Sequence, residues 1–210
     1  MTPLTRLAGI AAPLLRDNID TDAIIPSREM KSTGKTGLAD GLFAGWRYRS
    51  AASREPDPDF VLNQPEFAGV EILLAGANFG CGSSREHAVW ALAEYGIRAV
   101  VAPSFAPIFF GNCVRNGILP AAVPGEAVVE IATAVTADPN GNRLHVDVDA
   151  QTLSLPDGRS WTFPLEGEAK AMLMEGLDAV DLTLKLRDRI AAFHARDRVA
   201  RPWIYLGEQA

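Results

Sequence analysis

The stretch Gly76-Ala77-Asn78-Phe79-Gly80-Cys81-Gly82-Ser83-Ser84-Arg85-Glu86-His87 joins a short apolar run to a helical pattern. The run before it, residues 70–75, is apolar and β-branched enough for a buried strand, while Ala88, Leu92 and Tyr95 recur after it at helical spacing. The sequence therefore predicts a strand, a turn and the start of a helix in that order. We call residues 76–86 the glycine turn.

The glycine turn has the composition of an anion-binding site. Gly76, Gly80 and Gly82 carry no Cβ atom, so a ligand can approach their backbone closely. The helix that follows adds unpaired N–H groups and the positive end of its dipole. A carboxylate or phosphate is the ligand that this pattern predicts.

Strands and helices alternate through the middle of the chain. Residues 97–102 and 118–123 form two further apolar runs of strand length, and the helix between them is opened by Pro107 and ended by Gly117. Such alternation is typical of parallel βαβ units whose site lies at the carboxyl ends of the strands. We expect an α/β fold with a mainly parallel sheet.

The remaining segments extend this core at both ends. A first strand is expected at 7–15, an antiparallel meander at 144–148, 153–155 and 161–163, and C-terminal helices at 166–175 and 182–196. The last helix carries an apolar stripe of Leu182, Leu186, Ile190 and Phe193. Residues 128–136 fit either a helix or a strand. We predict one domain over residues 1–210 with a helical extension from about residue 181.

Composition narrows the class of protein. The chain has 210 residues, 48% of them hydrophobic and 22% charged, and its net charge of -6 argues against a nucleic-acid partner. Its apolar runs are shorter than the ~20 residues of a membrane helix. Cys81 and Cys113 are too few for a disulfide framework and suit a reducing cytoplasm.

The sequence does not match three familiar motifs: the nucleotide-binding loop, the nucleophile elbow and the dinucleotide fingerprint. The segment 34–36 reads Gly-Lys-Thr, but Glu29 stands where a nucleotide-binding loop needs its first glycine. Neither Ser83 nor Ser84 has the two flanking glycines of a nucleophile elbow. Arg85 stands where the dinucleotide fingerprint needs its last glycine or alanine.

Several roles stay open for the polar residues of the turn. Ser83 and Glu86 match a capping box, and their spacing alone favours that interpretation. A cap does not need three glycines or Arg85, however, so binding or catalysis is the alternative. Cys81 is either a reactive thiol or a small packing residue, and His87 either a proton donor or a structural hydrogen-bonding group.

Two segments upstream offer charged groups. The acidic stretch 17–26 is conceivable as a metal loop, but no glutamate follows at calcium-loop spacing, so capping of a turn is favoured and no metal is expected. The basic loop that follows carries Arg28, Lys31 and Lys35, which could meet an acidic ligand.

The chain resembles the swivelling domain of the aconitase family. The matching segments are Asp20-Thr21-Asp22-Ala23-Ile24-Ile25-Pro26, Gly80-Cys81-Gly82-Ser83-Ser84-Arg85-Glu86-His87-Ala88, Pro103-Ser104-Phe105-Ala106 and Phe110-Gly111-Asn112, in colinear order. The length and Trp46-Arg47-Tyr48 are similar to a bacterial small-subunit branch of that family. The resemblance covers about Ala8 to Leu184 and implies an aconitase-like β/β/α swivelling domain.

The resemblance also implies a function shared between two chains. The swivelling domain would close over a separate large subunit that carries a [4Fe-4S] cluster, while this chain binds no cofactor itself. Ser83 would be the catalytic base, and Ser84 and Arg85 would bind substrate. Lys35 would be a second substrate-binding cation, at a position where relatives carry an arginine.

The implied reaction is a dehydration and rehydration that interconverts 2-isopropylmalate and 3-isopropylmalate in leucine biosynthesis, with the cluster iron of the large subunit as Lewis acid. Two alternatives remain. One is a related hydro-lyase for another 2-substituted malate, of the methylmalate or homoaconitate type, because residues 27–38 are expected to line the substituent pocket. The other is a non-catalytic anion-binding or assembly module in which Ser83 only caps a helix.

Overall fold

The computed structural model describes residues 1–30 and 34–205, whose strands form two four-stranded sheets. The strands are β1 Arg6–Gly9, β2 Ala11–Leu14, β3 Ile72–Ala75, β4 Ala99–Ala102, β5 Leu119–Ala122, β6 Leu144–Asp147, β7 Thr152–Ser154 and β8 Ser160–Thr162. The helices are α1 Thr21–Ile24, α2 Ala44–Arg47, α3 His87–Tyr95, α4 Pro107–Arg115, α5 Gly125–Ala137, α6 Gly167–Glu175, α7 Ala179–Leu184 and α8 Arg187–Ala200.

The first sheet is parallel and runs in the order β2-β3-β4-β5. Alternate residues of β2, β3 and β4 join α3 and α4 in one apolar cluster, while α5 packs against the same three strands. Every residue of β3 and β4 is buried, as expected for parallel strands covered on both faces. The predicted α/β fold with a parallel sheet and C-terminal helices is confirmed.

The second sheet is antiparallel and runs in the order β1-β6-β7-β8. Its last three strands are the predicted meander, paired in sequence order. The residues that fitted either a helix or a strand lie in helix α5.

The prediction of one first strand over residues 7–15 is wrong. The chain leaves the antiparallel sheet at Gly9 and enters the parallel sheet at Ala11. The single apolar run therefore forms two strands, one in each sheet. Pro13 is tolerated in β2 because that strand lies at the edge of its sheet. Periodicity alone does not show which distant strand each half will pair with.

The single last helix over residues 182–196 is also wrong, since the chain forms α7 and α8 with a break at Lys185 and Leu186. Asp178 starts α7 through a capping box with Asp181. Neither helix contains a buried residue, and Phe193 of the expected stripe is 49% exposed. An apolar stripe at helical spacing therefore does not by itself imply burial.

The chain divides into two compact units. Met1–Gly176 holds both sheets and helices α1 to α6, and the unit that begins at Leu177 holds α7 and α8. One domain over residues 1–210 with an extension from about residue 181 stays a prediction. No helix in the described part of the chain has the length and apolar character that crossing a bilayer requires.

Candidate active site

The glycine turn follows β3 and lies between the segments that follow β2 and β4. Two isolated parallel bridges extend the sheet pattern into it, one joining Cys81 to Asp20 and one joining Phe79 to Phe105. The carboxyl ends of adjacent parallel strands thus meet at the turn, which is where α/β sheets place their sites.

Hydrogen bonds from both neighbouring segments hold the turn. The Ala77 N–H donates to the Asp17 carboxylate over 2.7 Å, the Asn78 N–H to the Ser104 hydroxyl over 2.8 Å, and the Gly80 N–H to the Ile19 carbonyl over 2.8 Å. Residues 77–80, which precede the two serines, are therefore held in place by both neighbouring segments.

Two glycines of the turn have backbone conformations that other residues rarely adopt. Gly80 has a φ of 77° and Gly82 a φ of 94°. A Cβ atom at Gly80 would also overlap the ring of Phe109 in α4. The turn therefore lies directly against α4, and glycine at position 80 is what permits this approach.

Ser83 does not cap the helix. Helix α3 begins at His87, its N-cap residue is Glu86, and no side chain makes the capping hydrogen bond. The capping-box interpretation of Ser83 and Glu86 is wrong, because the helix starts too late for it. Ser83 is half-buried, and its hydroxyl makes no hydrogen bond with any described residue.

The backbone beyond Ser83 offers unpaired donors. The N–H groups of residues 84–88 make no hydrogen bonds within the described part of the chain. Those of residues 87 and 88 belong to the first turn of α3, where helices leave N–H groups without partners and favour an anion. The predicted carboxylate-binding character of the turn thus has a geometric basis.

Arg85 is held by an acidic partner. Its Nη1 atom lies 2.7 Å from Oδ1 of Asp22, one residue after the start of α1. The arginine side chain is 34% exposed and that of Asp22 57%, so the pair faces solvent. One nitrogen of the guanidinium orients the group, and the rest of the fork can meet a carboxylate.

Asp20 caps a short helix. Its carboxylate accepts a hydrogen bond from the Ala23 N–H over 2.7 Å, at the start of α1. The capping role favoured for this acidic segment is confirmed, although the segment forms a helix.

Lys35 contacts Trp90 and Asn116. Its Nζ atom is 5.4 Å from the centre of the Trp90 ring and donates to Oδ1 of Asn116 over 3.2 Å. Trp90 Nε1 donates to the same oxygen over 3.1 Å. Lys35 therefore packs beside the second turn of α3 and lines a cavity of about 360 Å³, while Ser83, Ser84 and Arg85 precede that helix.

Glu94 fixes the loop that carries Lys35. Its carboxylate accepts hydrogen bonds from the N–H groups of Gly37, Leu38 and Ala39 over 2.6, 2.5 and 2.9 Å. These bonds, with the Gly37 N–H giving the largest effect, lower the pKa of the Glu94 carboxyl. Lys31, the other cation expected in this loop, lies outside the described residues.

The described residues do not fit an iron–sulfur cluster. They contain no group of three or more histidine, cysteine, aspartate or glutamate side chains placed to hold a metal. Cys81 is partly exposed, and burial raises the pKa of the Cys113 thiol well above its usual value. A cluster needs several thiolate ligands, so no step of the chemistry is assigned to a metal on this part of the chain.

His87 packs against an aromatic ring. Its imidazole centre lies 4.8 Å from that of Trp90, one turn further along α3. The imidazole therefore has a packing partner within α3.

Sequence reasoning left three neighbours of the serines without roles. Asp22 pairs with Arg85, the Thr21 hydroxyl accepts from the Ser83 N–H over 3.1 Å, and the Asn112 amide donates to the Ser84 carbonyl over 3.3 Å. For Asn112 the available signal was a polar residue inside the apolar run 108–114, whereas Thr21 stands between two aspartates and carries no such signal.

The fold and the candidate site together indicate a protein family. A parallel sheet with a serine–arginine turn at its carboxyl edge, followed by an antiparallel meander, is the arrangement expected of the aconitase swivelling domain. In agreement, residues 1–126 match the family described as the aconitase C-terminal domain.

Comparison with known proteins identifies the branch of the aconitase family to which the chain belongs. The chain is 58% identical to the 3-isopropylmalate dehydratase small subunit of Cupriavidus necator, over 98% of this chain and 99% of that one. It is 45% identical to the protein of the same name from Neisseria gonorrhoeae, over 99% and 100% of the two chains. The crystal structure of 3-isopropylmalate dehydratase from Methanocaldococcus jannaschii matches with a TM-score of 0.63 at 30% identity, covering 90% of this chain and 98% of that one. The chain belongs to the family of 3-isopropylmalate dehydratase small subunits.

Proposed function

We propose that the chain is the small subunit of a hydro-lyase that interconverts 2-isopropylmalate and 3-isopropylmalate by dehydration and rehydration in leucine biosynthesis. The observation that carries this proposal is the end-to-end similarity to small subunits with that name. The unpaired Ser83 hydroxyl beside Arg85 supports it at the level of the site.

Ser83 is the proposed base. In the dehydration, its oxygen, as an alkoxide, takes the proton from the carbon next to a carboxylate, and the hydroxyl leaves the neighbouring carbon as a double bond forms. Return of the proton and hydroxyl with their positions exchanged gives the isomer. A serine hydroxyl is a weak base near neutral pH, so this role needs stabilisation of the alkoxide. The unpaired N–H groups of residues 84–88 and the Arg85 guanidinium are suited to supply it.

Arg85 and Ser84 are the proposed substrate-binding residues. The Arg85 fork is oriented by Asp22, which favours two-point binding of a carboxylate. Ser84 is exposed and is the residue next to the base. Lys35 is also proposed to bind substrate. Its amine contacts Trp90 and Asn116, however, and would have to leave them to reach a substrate at the serines.

The small-subunit family implies a large-subunit partner. We place the [4Fe-4S] cluster on that partner, where it would supply a Lewis acid for the substrate hydroxyl. We further propose that the pair is a cytoplasmic hetero-oligomer that acts on a small dicarboxylate, without nucleic acid or membrane.

The function is tested by reconstitution. The purified chain is assayed for hydration of the unsaturated intermediate, alone and with a cluster-bearing large subunit, over isopropyl-, methyl- and homoaconitate-type substrates. We expect activity only in the mixture and the highest kcat/KM for the isopropyl substrate. Full activity of the single chain would contradict the shared site, and equal or better turnover of methylmalate would contradict the isopropyl assignment.

A further inference from the structure

We propose that Thr21 and Asn112 are positioning residues that fix the Ser83–Ser84 backbone at its two ends, so that the base and the substrate-binding groups keep their geometry. This inference rests on the proposed function. Both residues are polar yet almost fully buried, with 2% and 3% of their surfaces exposed. Each directs a side-chain polar atom at the backbone of one of the two serines.

Thr21 holds the chain on both sides of Gly82. Its N–H donates to the Cys81 carbonyl over 2.9 Å, and its hydroxyl accepts from the Ser83 N–H over 3.1 Å. Gly82, with its φ of 94°, therefore lies between two anchored peptide groups. The hydroxyl fixes the amide plane that leads into Ser83, the proposed base.

Asn112 holds the other end of the same segment. Its Nδ2 atom donates to the Ser84 carbonyl over 3.3 Å from one turn beyond Phe109, the ring against which Gly80 packs. The contact between the turn and α4 thus brings this amide within reach of Ser84.

Arg115 decides which end of the Asn112 amide faces the serine. The Arg115 guanidinium, which can only donate, hydrogen bonds to the Asn112 oxygen. The amide nitrogen must therefore point to the Ser84 carbonyl. The backbone carbonyl of Asn112 accepts from the Asn116 side-chain amide over 2.9 Å, and the side-chain oxygen of Asn116 accepts from Lys35.

The two contacts act on different parts of the site. Thr21 bonds the peptide of Ser83, so its loss should displace the base and lower kcat. Asn112 bonds the carbonyl that precedes Arg85, so its loss should displace the substrate-binding residues and raise KM. Small displacements of this kind change rates strongly, by about a hundredfold for about 1 Å.

The test uses two isosteric variants and one rescue variant in the complex with the large subunit. Thr21→Val keeps the shape but removes the acceptor, and Thr21→Ser restores it. Asn112→Asp keeps an oxygen for Arg115, as an ion pair that supports the fold, but removes the donor to Ser84. Each complex is assayed for kcat and KM, for its thermal unfolding midpoint and for subunit affinity.

We expect kcat to fall by about 10- to 100-fold in T21V and to return to within about threefold of wild type in T21S. We expect N112D to raise KM more than it lowers kcat. Wild-type kinetics in both T21V and N112D would overturn the proposal, as would a T21S variant no better than T21V. If T21V does not fold, the kcat and KM of N112D decide alone. A wild-type complex without isomerase activity would instead refute the proposed function.

Discussion

Ser83 is the residue on which the proposed function depends, and its hydroxyl makes no hydrogen bond that would give it a structural role in the described chain. It makes no hydrogen bond there, and helix α3 starts four residues later. A hydroxyl that is half-buried yet unpaired, next to Arg85 and a row of unpaired N–H groups, is available for chemistry.

Ser83→Ala is expected to remove activity without destabilising the fold. If the hydroxyl is the base, kcat of the assembled enzyme falls by about 10²- to 10⁴-fold, the usual contribution of a general base. Its unfolding midpoint should match that of wild type, because no hydrogen bond is lost. Steady-state kinetics and thermal unfolding of the same preparations check both statements. Retained activity together with a stability loss of about 1 kcal/mol would show a cap after all.

The glycine turn is the element that brings the serines against α4. Gly80 combines a left-handed backbone with a Cβ direction blocked by the Phe109 ring. Glycine is needed at this position for conformation and for space together, and the approach to Asn112 depends on it.

Gly80→Ala is expected to destabilise the protein by about 2–4 kcal/mol, from backbone strain and overpacking combined. Gly167→Ala is the matched control, since Gly167 has no such φ and its Cβ would meet open space. The control should stay within about 1 kcal/mol of wild type. Denaturant unfolding of both variants provides the measurement, and equal stabilities would contradict the crowding inferred at Gly80.

The loop that carries Lys35 is held by a charge, so its anchorage should depend on pH. The pKa of Glu94 is lowered in the folded state, from a usual value of 4.5, by the N–H groups of Gly37, Leu38 and Ala39. A lowered carboxyl pKa contributes stability that is present above the unfolded value and is lost as the pH falls through the folded value.

Glu94→Gln is therefore expected to lower the unfolding midpoint at pH 7, with the difference from wild type shrinking as the pH falls below about 4.5. Glu66→Gln is the control, because Glu66 is exposed and has no hydrogen-bond partner among the described residues. Thermal unfolding across pH measures both. A difference between E94Q and wild type that does not change with pH would mean that the charge is not what holds the loop.

At the scale of the whole molecule, the core lies in one part of the chain. The apolar cluster around the parallel sheet falls within Met1–Gly176, whereas α7 and α8 bury no residue. We propose that the chain folds as one domain with a helical C-terminal extension.

A chain that ends at Gly176 is expected to keep cooperative unfolding, with a midpoint within about 4 °C of the full chain, because α7 and α8 contain no buried residue and their removal costs little buried apolar area. Circular dichroism of the two chains measures it. A truncated chain without a cooperative transition would show that the terminal helices are part of the folding unit.

The sequence by itself determined the middle of the fold and predicted the location of the candidate site. The strand positions 70–75, 97–102 and 118–123, each bounded by a turn residue, were sufficient for a parallel α/β sheet. The glycines and the serine–arginine pair placed an anion site after the first of these strands. Local periods and turn residues carry this information because they act over a few neighbouring residues.

Only the tertiary structure decided how distant segments meet. It divided the first apolar run between two sheets at Ile10, paired Arg85 with Asp22, and placed Lys35 against Trp90. It also started α3 after Ser83, which freed the hydroxyl that spacing assigned to a cap. The strand pairings, the Arg85–Asp22 pair and the Lys35–Trp90 contact each join residues tens of positions apart, and no local period records which of them will be adjacent.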